Sequence, residues 1–176
     1  MFKAVQNGWS PPNSISEQEY KVIKENKNDF APSLVGFVAI GCSYSGKWFG
    51  GYARGNDNKG NSRNYCLESK KNLLSQNLDG IIFKNCNYWE LDIPEKSILY
   101  LDPPYQGTTK YKDKFNHKDF WNWAENMAKN GHSVFVSEYN APENWECIWS
   151  KEVFNSLTKQ TSSKTGIEKL FKYKNL

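Results

Sequence analysis

Ser97-Ile98-Leu99-Tyr100-Leu101-Asp102-Pro103-Pro104-Tyr105 is the stretch on which the reading of this chain turns. An apolar run of strand length stops on an Asp, two prolines and a Tyr. Proline has a fixed φ of about −65° and no N–H, so the pair ends any sheet ladder. The segment therefore reads as a buried strand that delivers a tight turn at its carboxyl end. In open α/β sheets that end is where ligands bind.

The turn has a definite chemistry. The prolines leave carbonyl oxygens without competing N–H groups beside them, and the Asp102 carboxylate adds further acceptors. The natural guest is an –NH₂ group with two hydrogens to donate, and the Tyr105 ring can lie against a flat heterocycle. The exocyclic amine of adenine fits. Its lone pair is delocalised into the ring, which makes it a poor nucleophile. Two acceptors, Asp102 and a backbone carbonyl near Pro103, favour a tetrahedral nitrogen and free the lone pair to attack an activated methyl group. Such catalysis is positioning plus electrostatics. The plainer alternative is an ordinary turn with an Asp cap.

Outward from this stretch the pattern alternates between strand and helix. Ile81-Ile82-Phe83 is a strand candidate on the amino-terminal side. Asn116 to Asn130 reads as a helix with Phe120, Trp123, Ala124 and Met127 on one face and Gly131 at its end. Ser133–Ser137, Cys147–Trp149 and Lys169–Tyr173 are three further strand candidates. Strand, helix, strand order predicts parallel pairing with a right-handed crossover.

The amino-terminal part differs. Phe2 to Asn7 reads as a helical turn ended by Gly8, and Ser16-Glu17-Gln18-Glu19 as a capping box that starts a helix running to about Asn26. Leu34 to Ile40 is continuously apolar, and periodicity does not separate helix from strand at that length. From Gly41 to Asn64, glycines at 41, 46, 50, 51, 55 and 60 alternate with Tyr44, Trp48, Phe49 and Tyr52, beside Lys47, Arg54, Lys59 and Arg63. This predicts an extended, hairpin-like loop facing a ligand or DNA. A polar helix follows from Leu67 to Asn77. The expected organisation is a helical and Gly/aromatic region over 1–78 and an α/β region over 79–176.

Composition narrows the function classes. The net charge is +4, from 23 Lys and Arg against 19 Asp and Glu, which permits a polyanionic partner without demanding one. With 7 Trp, 10 Tyr and 10 Phe, aromatic rings are numerous enough to serve both a core and base stacking. Cys42, Cys66, Cys86 and Cys147 form no C-x-x-C unit, so zinc ribbons and thioredoxin-type motifs drop out, and reduced thiols are expected. Two histidines, His117 and His132, are too few for a histidine-based metal site or a Ser-His-Asp triad. No metal is expected. No apolar run is long enough to span a bilayer, and the first residues lack a leader's apolar core, so a cytoplasmic protein is expected.

The Asp102-Pro103-Pro104-Tyr105 tetrapeptide, its strand and the sequence around it resemble the Dam-type adenine-N6 DNA methyltransferases, particularly phage-encoded ones. The resemblance covers nearly the whole chain. Phe2–Trp9 with Pro11-Pro12 is similar to the helix after the family's second cofactor motif. Gly41–Tyr52 is similar to its aromatic DNA-contacting region, Tyr105–Tyr111 to the loop after the catalytic tetrapeptide, Ser137-Glu138-Tyr139-Asn140 to the next strand-end motif, and Gly166–Phe171 to the closing strand. The implied fold is an incomplete Rossmann-like class I methyltransferase sheet with a helical and hairpin DNA-recognition insertion.

The resemblance also implies roles. Asp102 and the Pro103 carbonyl take the target amine, Pro104 shapes the turn, and Tyr105 stacks on an adenine extruded from double-stranded DNA. Asn87 and Tyr88 fall where the family holds the adenine ring of S-adenosylmethionine, with Asp102 adjoining; the family often has Asp where this chain has Asn87. Tyr44, Lys47, Trp48, Arg54, Arg63, Lys110 and Lys112 are the implied DNA contacts.

The family's Phe-x-Gly-x-Gly turn, which holds S-adenosylmethionine, does not occur in these residues; Trp48-Phe49-Gly50-Gly51 has different spacing. A truncated or split enzyme is therefore expected, with an unpaired apolar strand edge beside the catalytic strand. A separate cofactor-binding chain or a second copy would cover that edge. The competing expectation is a catalytically inactive DNA-binding remnant. A cytosine-N4 enzyme is a third reading, against which Asp rather than Ser at position 102 leans by resemblance.

Overall fold

The computed structural model describes residues 1–106, 115–154 and 165–174. It divides into two compact units, Met1–Asn85 and Cys86–Leu176.

In the first unit α1 (Phe2–Gln6), α2 (Glu17–Glu25), α3 (Pro32–Gly41) and α4 (Tyr65–Leu74) surround one core. The capping box forms as its sequence requires: Ser16 Oγ accepts from the Glu19 N–H at 3.2 Å, and Glu19 Oε2 accepts from the Ser16 N–H at 2.7 Å. The ambiguous run at Leu34–Ile40 is helical. Pro32 opens it in the first turn, where the N–H groups have no intrahelical partner to lose. Its Phe37, Val38 and Ala39 are essentially buried.

The Gly41–Asn64 stretch folds back on itself twice, through Ser43 pairing antiparallel with Tyr52 and Asn56 with Ser62. It is less of a surface loop than its composition suggests. Tyr44 and Trp48 are exposed, but Phe49 is buried and Tyr52 packs against the core. Tyr20 on α2 pins the loop, with its hydroxyl 2.7 Å from Ser43 Oγ and accepting from the Gly51 N–H at 3.2 Å. Gly51 sits at φ +124°, a backbone that side-chain-bearing residues rarely adopt.

Ile81–Phe83, expected as a strand, is not one. The segment is held by other means. Gln6 Nε2 donates to the Leu78 and Ile81 carbonyls at 2.6 and 2.8 Å, and the Phe83 ring stacks on Phe2 with centroids 5.3 Å apart. Three apolar residues become a strand only beside another strand, and here a helix side chain takes the carbonyls.

The second unit holds β1 (Ile98–Leu101), α5 (His117–Lys129), β2 (Ser133–Glu138), β3 (Trp145–Phe154) and β4 (Thr165–Tyr173). The sheet is mixed, in the order β1-β2-β4-β3. β1 and β2 pair in parallel across α5, as strand, helix, strand order predicts, while β4 inserts antiparallel to both its neighbours. Asn116 caps α5 by accepting from the Lys118 and Asp119 N–H groups. Phe120 and Ala124 of α5 pack with Val134, Val136, Trp145 and Phe171. The other face of β1 is open, with Ile98 77% and Tyr100 65% exposed. Among the described residues, β1 has a paired strand on one side only.

Candidate active site

Parallel pairing brings two strand ends to one place. Leu101 of β1 lies opposite Val136 of β2, so the residues that follow each strand emerge together. After β1 come Asp102, exposed, and Pro103, buried; Pro104 and Tyr105 are half-buried. At the end of β2 come Ser137, Glu138 and Tyr139.

Tyr105 is seated on that second end. Its hydroxyl hydrogen-bonds Ser137 Oγ, and its ring meets Tyr139 edge-on with centroids 4.8 Å apart. Burial pushes its phenol up from the ordinary value; the Ser137 bond opposes this, and the Asp102 and Glu168 charges add to it. Tyr105 is thus a neutral, oriented ring beside a carboxylate.

Glu138 holds the turn. It is 1% exposed, and its two oxygens take two backbone donors. Oε2 accepts from the Gln106 N–H at 2.9 Å and Oε1 from the Tyr139 N–H at 2.7 Å. Charge-assisted bonds of this kind are what make a buried carboxylate tolerable. His117 Nδ1, itself buried without a hydrogen-bond partner, lies 3.9 Å from Oε2, too far for a hydrogen bond. The sequence reading assigns Glu138 no role. The available signal is alternation: positions 134, 136 and 138 share one face of β2, the first two are core valines, and a carboxylate on that face must have partners.

The residues implied for cofactor and DNA contact fall in several settings. Asn87 caps a short 3₁₀ turn over Tyr88–Glu90 and shares hydrogen bonds with Glu90. The Tyr88 ring lies within a cluster of Phe115, Phe120 and Trp123 rings. In the first unit Tyr44, Lys47 and Trp48 stand out from the loop. Arg54 pairs with Glu17, and Arg63 with Glu68 while lying over the Tyr65 ring. Lys110 and Lys112 fall outside the described residues. No group of three or more acidic, His or Cys side chains suited to a metal occurs among the described residues.

Residues 45–169 match the family described as D12 class N6 adenine-specific DNA methyltransferase. The chain belongs to that class. The match runs through the Asp-Pro-Pro-Tyr turn, both strand ends and the Gly/aromatic loop beyond its first residues. The D12 class makes DNA the substrate and S-adenosylmethionine the methyl source. The four-stranded mixed sheet is compatible with a methyltransferase fold. No curated protein matches the chain. No helix among the described residues of this D12-class chain is long and apolar enough to cross a membrane.

Proposed function

We propose that this chain carries the target-amine site and part of the DNA-contacting surface of an adenine-N6 methyltransferase. The observation that carries the reading is the exposed Asp102 at the carboxyl end of a strand, beside an oriented Tyr105. Asp102 and the Pro103 carbonyl each accept one hydrogen of the N6 amine. This pulls the nitrogen toward a tetrahedral shape and localises its lone pair. Tyr105 forms the wall against which the extruded base lies. The proton surplus on N6 after methylation leaves through the Asp102 carboxylate. Exposed Tyr44, Lys47 and Trp48 supply stacking and phosphate contacts to duplex DNA. Arg54 and Arg63 reach phosphates by exchanging their carboxylate partners.

When bound, S-adenosylmethionine supplies an electrophilic methyl group. The chain's own residues fit this donor in part. Asn87 offers an exposed amide and Asp102 an exposed carboxylate, while Tyr88 is committed to the ring cluster. We further propose that the glycine-rich donor-binding turn comes from polypeptide outside these 176 residues, and that it pairs along the open edge of β1. The sheet would then extend toward the Rossmann-like arrangement of class I methyltransferases, with the Gly/aromatic region as its recognition insertion.

The test uses duplex DNA rich in adenine contexts, labelled S-adenosylmethionine and the chain, with and without a donor-binding segment carrying Phe-x-Gly-x-Gly. Nucleoside digestion and mass spectrometry should find N6-methyladenine, and Asp102→Ala should abolish it. Undiminished product from that variant, or N4-methylcytosine alone, would refute the assignment. A second reading, a DNA-binding remnant without catalysis, is favoured by the absence of that motif from these residues. Titration calorimetry decides it: duplex binding without methyl-donor binding, even with the segment present, would establish the remnant.

A further inference from the structure

The turn after β1 is tied to two neighbouring residues at the end of β2. Ser137 and Glu138 are consecutive in that strand, so their side chains leave it on opposite faces. Glu138 shares the face of Val134 and Val136, which packs against α5, and takes the Gln106 N–H. Ser137 is on the other face, in line with Phe135, and meets the Tyr105 hydroxyl. One strand residue thus ties the backbone of the turn, and the one before it ties the ring that the turn carries. A tyrosine anchored only at its Cα swings about two side-chain torsions. The bond to Ser137, 32 positions along the chain, fixes the far end of the ring. The Tyr139 ring, edge-on with centroids 4.8 Å apart, fixes one side. A hydroxyl suits this place because it both donates and accepts, and pairs with a phenol whichever of the two holds the shared proton. Ser137 is half-buried, which shields the bond from competing water.

We propose that Ser137 is a positioning residue of the methylation reaction, whose hydroxyl holds the Tyr105 ring at the angle against which the extruded adenine lies. The inference rests on the reading of Tyr105 as the wall for that base. Ser137 acts through Tyr105. With its hydroxyl gone, the ring samples orientations in which the base lies askew, and fewer bound complexes hold N6 between Asp102 and the Pro103 carbonyl. The ring itself stays, so the loss falls on kcat and leaves KM for DNA little changed. One hydrogen bond of ordinary strength corresponds to about three- to tenfold.

Two variants carry the test: Ser137→Ala, which removes the hydroxyl, and Ser137→Thr, which keeps it. The first readout needs no methyl donor. It is NMR of the full chain labelled at the tyrosine phenol carbon. The Ser137 bond favours the ionised phenol, against burial and the Asp102 and Glu168 charges, which both variants retain. Ser137→Ala should therefore move the Tyr105 resonance and raise the pH at which it titrates, and Ser137→Thr should do neither. The second readout is methylation with the donor-binding segment present. Ser137→Ala should lower kcat about three- to tenfold, Ser137→Thr should restore it, and Ser137→Ala should cost nothing more once Tyr105→Phe has removed the phenol. An unmoved Tyr105 resonance, or an equal further loss in the Tyr105→Phe background, would overturn the inference. The two readings fail separately. A slow Tyr105→Ala beside a full-speed Ser137→Ala removes only the role of Ser137, whereas a full-speed Tyr105→Ala removes the base wall itself.

Discussion

Replacing Glu138 by Gln changes one atom at the point where the turn after β1 is tied to the end of β2. The carboxylate takes the Gln106 N–H on one oxygen and the Tyr139 N–H on the other. A glutamine keeps one acceptor and turns an NH₂ toward the second N–H. One charge-assisted bond is lost, and a donor buried at a site 1% exposed is left facing another donor. Such a bond is worth about 1.5–3 kcal/mol and an unsatisfied buried donor costs about 1–3 kcal/mol. Relief of burying a charge works the other way. The bonds are the larger effect here because both oxygens are already matched, so the expected loss is about 1–3 kcal/mol. With a urea dependence near 1 kcal/mol per M for a small unit, the unfolding midpoint should fall by roughly 1–3 M. Amide exchange gives the local readout: the Gln106 and Tyr139 protons should exchange faster than those of Val134 and Val136. An unchanged or raised midpoint with equally slow Gln106 and Tyr139 exchange would refute the claim that this carboxylate holds the turn.

Phe120 is 3% exposed and touches the rings of Tyr88, Phe115 and Trp121, so Phe120→Ala should destabilise the second unit by about 3–5 kcal/mol in a thermal or urea melt. The Glu125 carboxyl is held below its ordinary 4.5, chiefly by Lys129 and then by Asn144 and Tyr173. A depressed folded-state value means that its contribution is complete above about pH 4.5 and is lost as the pH falls through the lower folded value. Carboxyl titration by NMR should place Glu125 below the exposed glutamate range, and Lys129→Ala should move it up.

Local signals in the sequence carried a good deal. The capping box at Ser16 and Glu19 formed because its partners are three residues apart and need nothing distant. The helix expected over Asn116 to Asn130 formed as α5, following its 3.6-residue apolar face, and the proline pair ended β1 where it stands, since each proline removes a backbone donor from the ladder. Parallel pairing of β1 with β2 followed from the helix between them.

What depended on distant partners was not legible. Ile81–Phe83 has strand composition but no strand beside it. The antiparallel insertion of β4 between β2 and β3 joins residues far apart in the chain. Glu138 acquires its partner only when the parallel register of β1 and β2 sets it against the Gln106 amide, 32 positions away. Spacing within a turn or two of helix, and the chemistry of proline, act through bonds the chain already has, so the sequence alone determines them. Burial, strand order and the meeting of side chains across many residues are decided by packing of the whole unit, because only there does each group acquire its neighbours.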